Sequence, residues 1–445
     1  MLTRACISLL LLAAIPAWTQ VAPSASGGDT DADQGSEMSV PPSVGDSNFS
    51  MTTESEARSN YLNFGIVFTP GYQDNVQPGN GSSPQGDATF AISPSVSFDR
   101  AAFRQKATFT YSPNLMIYTP TSTLNSFNQS ASASYGYLLS RRASFSLSDT
   151  FLRTSDVFTG SEAFSGSGVS GSTQTPTPAA VAPYAEQLVN TVNGDIHYQY
   201  TRNGMIGGSG SFLTFSFPNP NQAAGLYNSR SEYGSAYLSR RLTPQQYVGL
   251  TYQYGRTLAF APGTTFEAQT NAVQPLYALF LGRGLTISVS GGILHLSDSA
   301  TGQPSSGSWS PSGVGSVDWR GSVTSFAASF ARTVAAGEGL LGVYKSTRVS
   351  GAGRWRITKT WATELSVSYN SISNAAPQIA SQLSNTGGNT LAAQATVDHA
   401  FNDDFHMTAG YQRLEETYPG IPSIAPDSDR AYVSITYAYR RPLGR

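Results

Sequence analysis

The sequence predicts an all-β fold: a transmembrane antiparallel up-and-down β-barrel of about eighteen strands, with sixteen fitting nearly as well. Three observations predict it. Segment after segment alternates apolar and polar side chains with period two, as a sheet with two unlike faces requires. The links between these segments sort by parity, short ones alternating with long ones. Charged residues make up only 12% of the chain, about half the roughly 25% of a globular protein, so something other than a charged surface faces the surroundings.

Each part of the chain can be taken in order. Residues 1–17 carry one early charge, Arg4, then the apolar run Ala5 to Ile15, then small residues and Pro16. This is the pattern of a secretory signal peptide, too short to span a bilayer stably. The single cysteine, Cys6, lies at the start of that run, so the mature chain is expected to have no thiol, disulfide or lipid anchor. Residues 18–60 are rich in Ser, Gly, Asp and Pro, lack periodicity, and carry seven acids against Arg58. They read as a disordered periplasmic leader, too short for a plug domain. The remainder is slightly basic without a clustered basic patch, which argues against nucleic-acid binding.

From 61 to 445 the chain reads as the outer-membrane barrel itself. Phe90, Ile92, Pro94, Val96 and Phe98 interleave with Ser93, Ser95, Ser97 and Asp99. Val248, Leu250, Tyr252 and Tyr254 interleave with Gly249, Thr251, Gln253 and Gly255, and the chain closes with Val433, Ile435, Tyr437 and Tyr439 against Ser434, Thr436 and Ala438. Strands are expected at 61–74, 87–99, 103–118, 126–139, 143–155, 187–200, 205–217, 229–240 and 246–260. The second half follows at 266–281, 285–298, 310–319, 322–334, 345–357, 362–373, 389–401, 405–418 and 429–440. Every second link is then very short, such as Arg141-Arg142, while the intervening ones are long, the longest being about 156–186. A soluble sandwich alternates too, but has no reason to sort its links in this way.

The outward set is expected to face lipid, with aromatic rings near strand ends at headgroup level: Tyr135, Tyr137, Tyr198, Tyr200, Trp319 and Trp355, then Phe401, Phe405, Tyr437 and Tyr439. The short-turn side gathers cations, among them Arg100, Arg104, Arg141, Arg142, Arg202 and Arg240, continued by Arg241, Arg283, Arg320, Lys359 and Arg441. They form either a collar against anionic headgroups or a set of solvated turn charges. The inward set is mostly Ser, Thr, Gly, Asn and Gln, which hydrate but do not pack as a dry core. Arg354 and Arg356 have inward parity and stand either in the lumen, favouring anions, or at the periplasmic rim.

No enzyme constellation is read. The four histidines, His197, His295, His399 and His406, lie on separate strands. Asp403, Asp404 and His406 share a short turn, on the side opposite the extracellular rim where a surface hydrolase needs its site, and His295 with Ser297 has no nameable acid or oxyanion donor. No metal or organic cofactor is implied.

The run Phe68-Thr69-Pro70-Gly71-Tyr72-Gln73-Asp74-Asn75-Val76 resembles the opening strand of the β-barrel porin type-2 family and related outer-membrane β-barrel proteins. The likeness continues in strands ending at Arg turns, such as Leu238-Ser239-Arg240-Arg241-Leu242-Thr243, and covers essentially all of 61–445 as a style of sequence. It implies an outer-membrane location and a channel, some relatives being associated with exopolysaccharide export. Such barrels often finish on an aromatic residue read by the assembly machinery, whereas this chain continues past Tyr439 into Arg440-Arg441-Pro442-Leu443-Gly444-Arg445, so an internal signal ending at Tyr437 or Tyr439 is expected. The function expected is a non-enzymatic pore for small hydrophilic solutes, limited by loops folded into its mouth, especially 156–186. The alternative is a non-conducting structural or export-associated barrel. Outer-membrane lipids and the barrel assembly machinery are the expected partners, with a homo-oligomer and polysaccharide export components as further ones.

Overall fold

Side chains two apart share one face of an extended chain, so each alternating segment becomes a strand with one apolar and one polar side. The computed structural model describes residues 60–76, 85–156, 158, 185–219, 226–281, 284–301, 305–336, 343–374, 387–417 and 427–442. The expected signal peptide (1–17) and leader (18–60), save Asn60, fall outside them. The strands are β1 (Tyr61–Gln73), β2 (Asp87–Ala102), β3 (Gln105–Thr119), β4 (Ser126–Ser140), β5 (Ala143–Thr154) and β6 (Gln187–Thr201). Next come β7 (Gly204–Ser216), β8 (Asn228–Thr243), β9 (Gln246–Ala261), β10 (Thr264–Leu281), β11 (Leu285–Ala300) and β12 (Ser306–Arg320). The last are β13 (Thr324–Ala336), β14 (Val343–Arg356), β15 (Trp361–Asn374), β16 (Gly387–Ala400), β17 (Phe405–Thr417) and β18 (Asp427–Pro442).

All eighteen pair antiparallel with their neighbours in sequence, and β1 also pairs with β18 from Tyr61↔Pro442 to Gln73↔Arg430, so the sheet closes on itself. Closure removes the free edge that a single sheet would expose. The alternative of sixteen strands is thereby excluded. Among the described residues no helix is long and apolar enough to cross a membrane.

The apolar set points outward. Every strand contributes at least one large hydrophobic side chain to the exterior, as with Phe64, Ile66 and Phe68 on β1 or Leu365, Val367 and Tyr369 on β15. The outward run from Leu62 to Tyr72 spans ten residue steps, about 25 Å of height for a strand tilted some 40°. A band of that height matches a bilayer's hydrocarbon layer.

Links at one end are short: 103–104, 141–142, 202–203 and 244–245, then 282–284, 321–323, 357–360 and 401–404. Those at the other end are longer, with one departure from the expected alternation. β9 and β10 are joined there by Pro262-Gly263 alone, a tight hairpin that the left-handed backbone of Gly263 (φ +74°) makes accessible. The expected link of five residues was too long because Ala261, Thr264 and Thr265 extend the ladder.

The seam between first and last strands is capped by the Asp-Asn pair of the opening-strand signature. Asp74 N–H donates to Asp429 O at 3.0 Å, and its Oδ1 accepts from Asp429 N–H at 2.7 Å. Asn75 Nδ2 donates to Asp427 O at 2.8 Å, and Val76 is buried with Ala91, Met116 and Tyr118.

Candidate functional site at the loop-side mouth

The inward set of the strands lines the barrel, and in much of the wall it is stitched by hydroxyl and amide contacts between adjacent strands. Asn63 Nδ2 donates to Ser97 Oγ at 3.1 Å, Thr69 Oγ1 meets Ser434 Oγ at 2.8 Å, and Ser329 Oγ meets Ser350 Oγ at 2.7 Å. Buried Gln274 bridges three strands, accepting from Ser290 Oγ at 3.1 Å and donating to Ser312 Oγ at 2.9 Å. Such contacts pair part of the wall's polar surface across neighbouring strands while leaving surfaces that water can wet.

The inner face is less uniformly polar than its composition suggests. Met205, Tyr237, Tyr247 and Ala278 form a buried apolar cluster near the short-turn end, with Phe280 packed on it. Ala268, Ala272, Leu294 and Leu296 form another toward the loop end. The expected inward set, mostly Ser, Thr, Gly, Asn and Gln, is thus interrupted by apolar side chains that meet between neighbouring strands, β7 to β10 in one cluster and β10 with β11 in the other.

At the loop end the segment after β5 turns into the mouth and reaches β18, five strands away round the ring. Ser155 N–H donates to Asn128 Oδ1 at 3.1 Å, starting the turn. Asp156 then receives Arg430 of β18 through both carboxylate oxygens, Nη1 to Oδ2 at 3.0 Å and Nη2 to Oδ1 at 2.5 Å. Arg430 also donates to Gln73 Oε1 at 3.0 Å and lies 4.4 Å from the centre of the Phe158 ring, which packs on Leu414. Both charged side chains are shielded, Asp156 at 2% and Arg430 at 9% exposure, so the pair is a desolvated, bidentate clamp. The remainder of the link expected to fold into the mouth, 159–184, lies outside the described residues.

A second intrusion comes from the upper part of β13. Its Val334 packs on the inner cluster of Ala268, Ala272, Leu294 and Leu296, and buried Tyr344 rides beside it on β14. Two elements thus narrow the same mouth from different sides.

The residues singled out from sequence take these places. Arg354 is half-buried on the inward face near the short-turn end, in register with Glu364 on β15 and Ser325 on β13. Arg356 ends β14 and is exposed, its backbone N–H donating to Val323 O at 2.7 Å. The two share the inward parity of β14 at its short-turn end, at the opposite end of the barrel from the clamp. The short-turn cations do gather at one end, in the links or in the terminal residues of β2, β8, β12 and β18, except Arg283, which lies outside the described residues. Tyr198, Tyr200, Trp319, Trp355 and Tyr439 stand exposed at the same end. His406 Nε2 is 3.3 Å from the backbone oxygen of Asp403, and His295 faces outward against Trp309 at 4.7 Å between ring centres.

One grouping was missed. Ser144 on β5 meets both ring nitrogens of His197 on β6, and His197 Nδ1 is 3.3 Å from Asp195 Oδ1. These are the residue types of an acyl-transfer triad, but the ring lies against the hydroxyl instead of aiming one nitrogen at it. The strand backbones beside it are committed to the β4–β5–β6–β7 ladders, leaving no oxyanion donors. The set is a cross-strand polar contact. The parity of Asp195 and His197 was legible, but the register that brings Ser144 to them was not.

No protein-family model matches the sequence, and no curated protein matches it. The likeness to β-barrel porin type-2 proteins therefore rests on the opening-strand run and the strand style alone. Among solved structures, the FrpB iron transporter from Neisseria meningitidis (F5-1 variant) is similar at 10% identity over 86% of this chain and 70% of that one, with a TM-score of 0.45. OpdL of Pseudomonas aeruginosa is similar at 8% identity over 87% of this chain and 100% of that one, with a TM-score of 0.40. The outer membrane protein OpdK from Pseudomonas aeruginosa is similar at 8% identity over 85% and 99%, with a TM-score of 0.41.

Proposed function

We propose that this protein is an outer-membrane channel for small hydrophilic solutes, passive and non-enzymatic, whose permeability is set at the loop-side mouth. The observation that carries the reading is the opposition of faces in a closed ring: large apolar side chains around the exterior, hydroxyls and amides along much of the interior. Backbone groups placed in hydrocarbon find no water, so a closed barrel is the arrangement by which strands cross it. Eighteen strands enclose more than side chains alone need to fill. Residues 1–17 supply export across the inner membrane and are removed, and the short-turn arginines rest against periplasmic-leaflet headgroups.

A second reading has its own observation in its favour. The inner apolar clusters and the two intrusions at the mouth would suit a barrel that does not conduct and serves a structural or polysaccharide-export assembly. Purified protein in a planar bilayer separates the two. The channel reading expects discrete, salt-dependent conductance steps; insertion without conductance would replace it with the second.

A further inference from the structure

Among the described residues one junction of the wall is incomplete. β12 and β13 pair from Arg320↔Ser325 up to Gly313↔Arg332 and no farther, although both strands continue toward the loop end. Above that rung β12 keeps its ladder with β11 as far as Ser306↔Asp298. β13 keeps its ladder with β14 as far as Ala336↔Val343. The two strands therefore part company. β12 stays in the wall, held by the bond from Gln274 to Ser312, while β13 passes inside it and sets Val334 on Ala268, Ala272, Leu294 and Leu296. Among the described residues no strand pairs with the second edge of 306–312.

That edge is built to receive the strand that left it. Continuing the register by single steps sets Ser312 against Thr333 and Pro311 against Val334. The faces agree: Ser312 follows inward Ser316 and Val314, while Pro311 and Val334 extend the outward line of Val317, Phe326 and Phe330. Val334 has an apolar environment in both places, the inner cluster when tucked and lipid when docked. An unpaired strand edge leaves backbone groups unsatisfied, which favours docking, whereas the apolar cluster in a hydroxyl-rich wall favours tucking.

We infer that the free β12 edge at 306–312 is a docking site for the upper part of β13, and that β13 with its partner β14 alternates between this edge and the inner cluster. Tucked, the pair narrows the mouth; docked, it completes the wall and widens it. The conductance consequence rests on the channel reading, whereas the docking itself does not.

Cysteine pairs test it, since the only native cysteine is Cys6 in the expected signal peptide. Pro311→Cys with Val334→Cys reports docking, and Ala272→Cys with Val334→Cys reports tucking. Gly315→Cys with Phe330→Cys, an existing rung, calibrates oxidation. Full-length protein in liposomes is oxidised mildly, crosslinking is read by gel mobility, and conductance is read before and after reduction. Both reporter pairs are expected to crosslink, with the oxidised 311–334 variant conducting severalfold more than the oxidised 272–334 variant and both returning to one level on reduction. If the calibrating pair links and the 311–334 pair does not, the inference fails. It fails equally if both link in membranes that conduct and the two oxidised variants conduct the same. Crosslinking at 311–334 in membranes silent under both conditions supports docking and overturns the channel reading instead. Ser312→Cys with Thr333→Cys asks the same question should the proline substitution prevent insertion.

Discussion

Asp149 stands on the outward face of β5 between Leu147 and Phe151, opposite Ala133 and Val192 on the neighbouring strands. Its partner is Asn190, whose Nδ2 donates to Oδ1 at 2.8 Å. A charge on a lipid-facing surface is costly, up to about 2–4 kcal/mol for a basic residue at mid-bilayer and less for an acid. Replacing Asp149 and Asn190 together by leucine is therefore expected to raise the unfolding free energy in liposomes by roughly 1–2 kcal/mol, read from urea titration. An unchanged midpoint would mean that this patch meets a polar neighbour and not lipid. At the mouth the balance runs the other way. Asp156→Asn leaves Arg430 buried with half its clamp and is expected to destabilise by about 3–5 kcal/mol, with larger and noisier conductance as the link comes free. Lost stability with unaltered conductance would remove the clamp from the permeation path. Neither partner stood out in the sequence, because 274 positions separate them and parity alone says only that Arg430 points inward.

Individual strands were far more legible. Each of the eighteen appears where alternation placed it, and the ends differ by no more than about four residues, within the usual uncertainty of boundaries. The misses share a cause. Ser306 to Trp309 at the start of β12 read as a Gly-Ser loop, and Arg241 to Thr243 at the end of β8 read as a turn, yet both belong to the ladder. Pairing continues where the outward side chains no longer need to be apolar, so composition marks the edge of the lipid band and not the end of the strand. The β9–β10 hairpin carries a prediction at this scale. Gly263→Val forces a β-branched residue into a left-handed conformation and is expected to cost about 1–2 kcal/mol, lowering the temperature at which the folded gel band is lost. An unchanged transition would mean that the hairpin relaxes without penalty.

For the molecule as a whole, closure follows from the solvent. A sheet in hydrocarbon with two open margins would leave two rows of backbone groups unsatisfied, and the β1–β18 ladder removes both. Truncation after residue 426, which deletes β18, is expected to abolish the heat-modifiable, denaturant-resistant species altogether; a folded band from that variant would mean that β1 and β17 can close the ring without it. The closed ring was legible because it is the general answer to a general constraint. That the link at 156–186 would enter its mouth was expected, but the anchor on Arg430 was not legible, since it depends on which side chains after β5 and on β18 come together. The clamp to Arg430 also bears on the order of events during biogenesis. Its arginine arrives with the final strand, so Asp156 has no guanidinium to receive while the wall is still being laid down. The act that seals the circumference is thus the same one that closes the clamp.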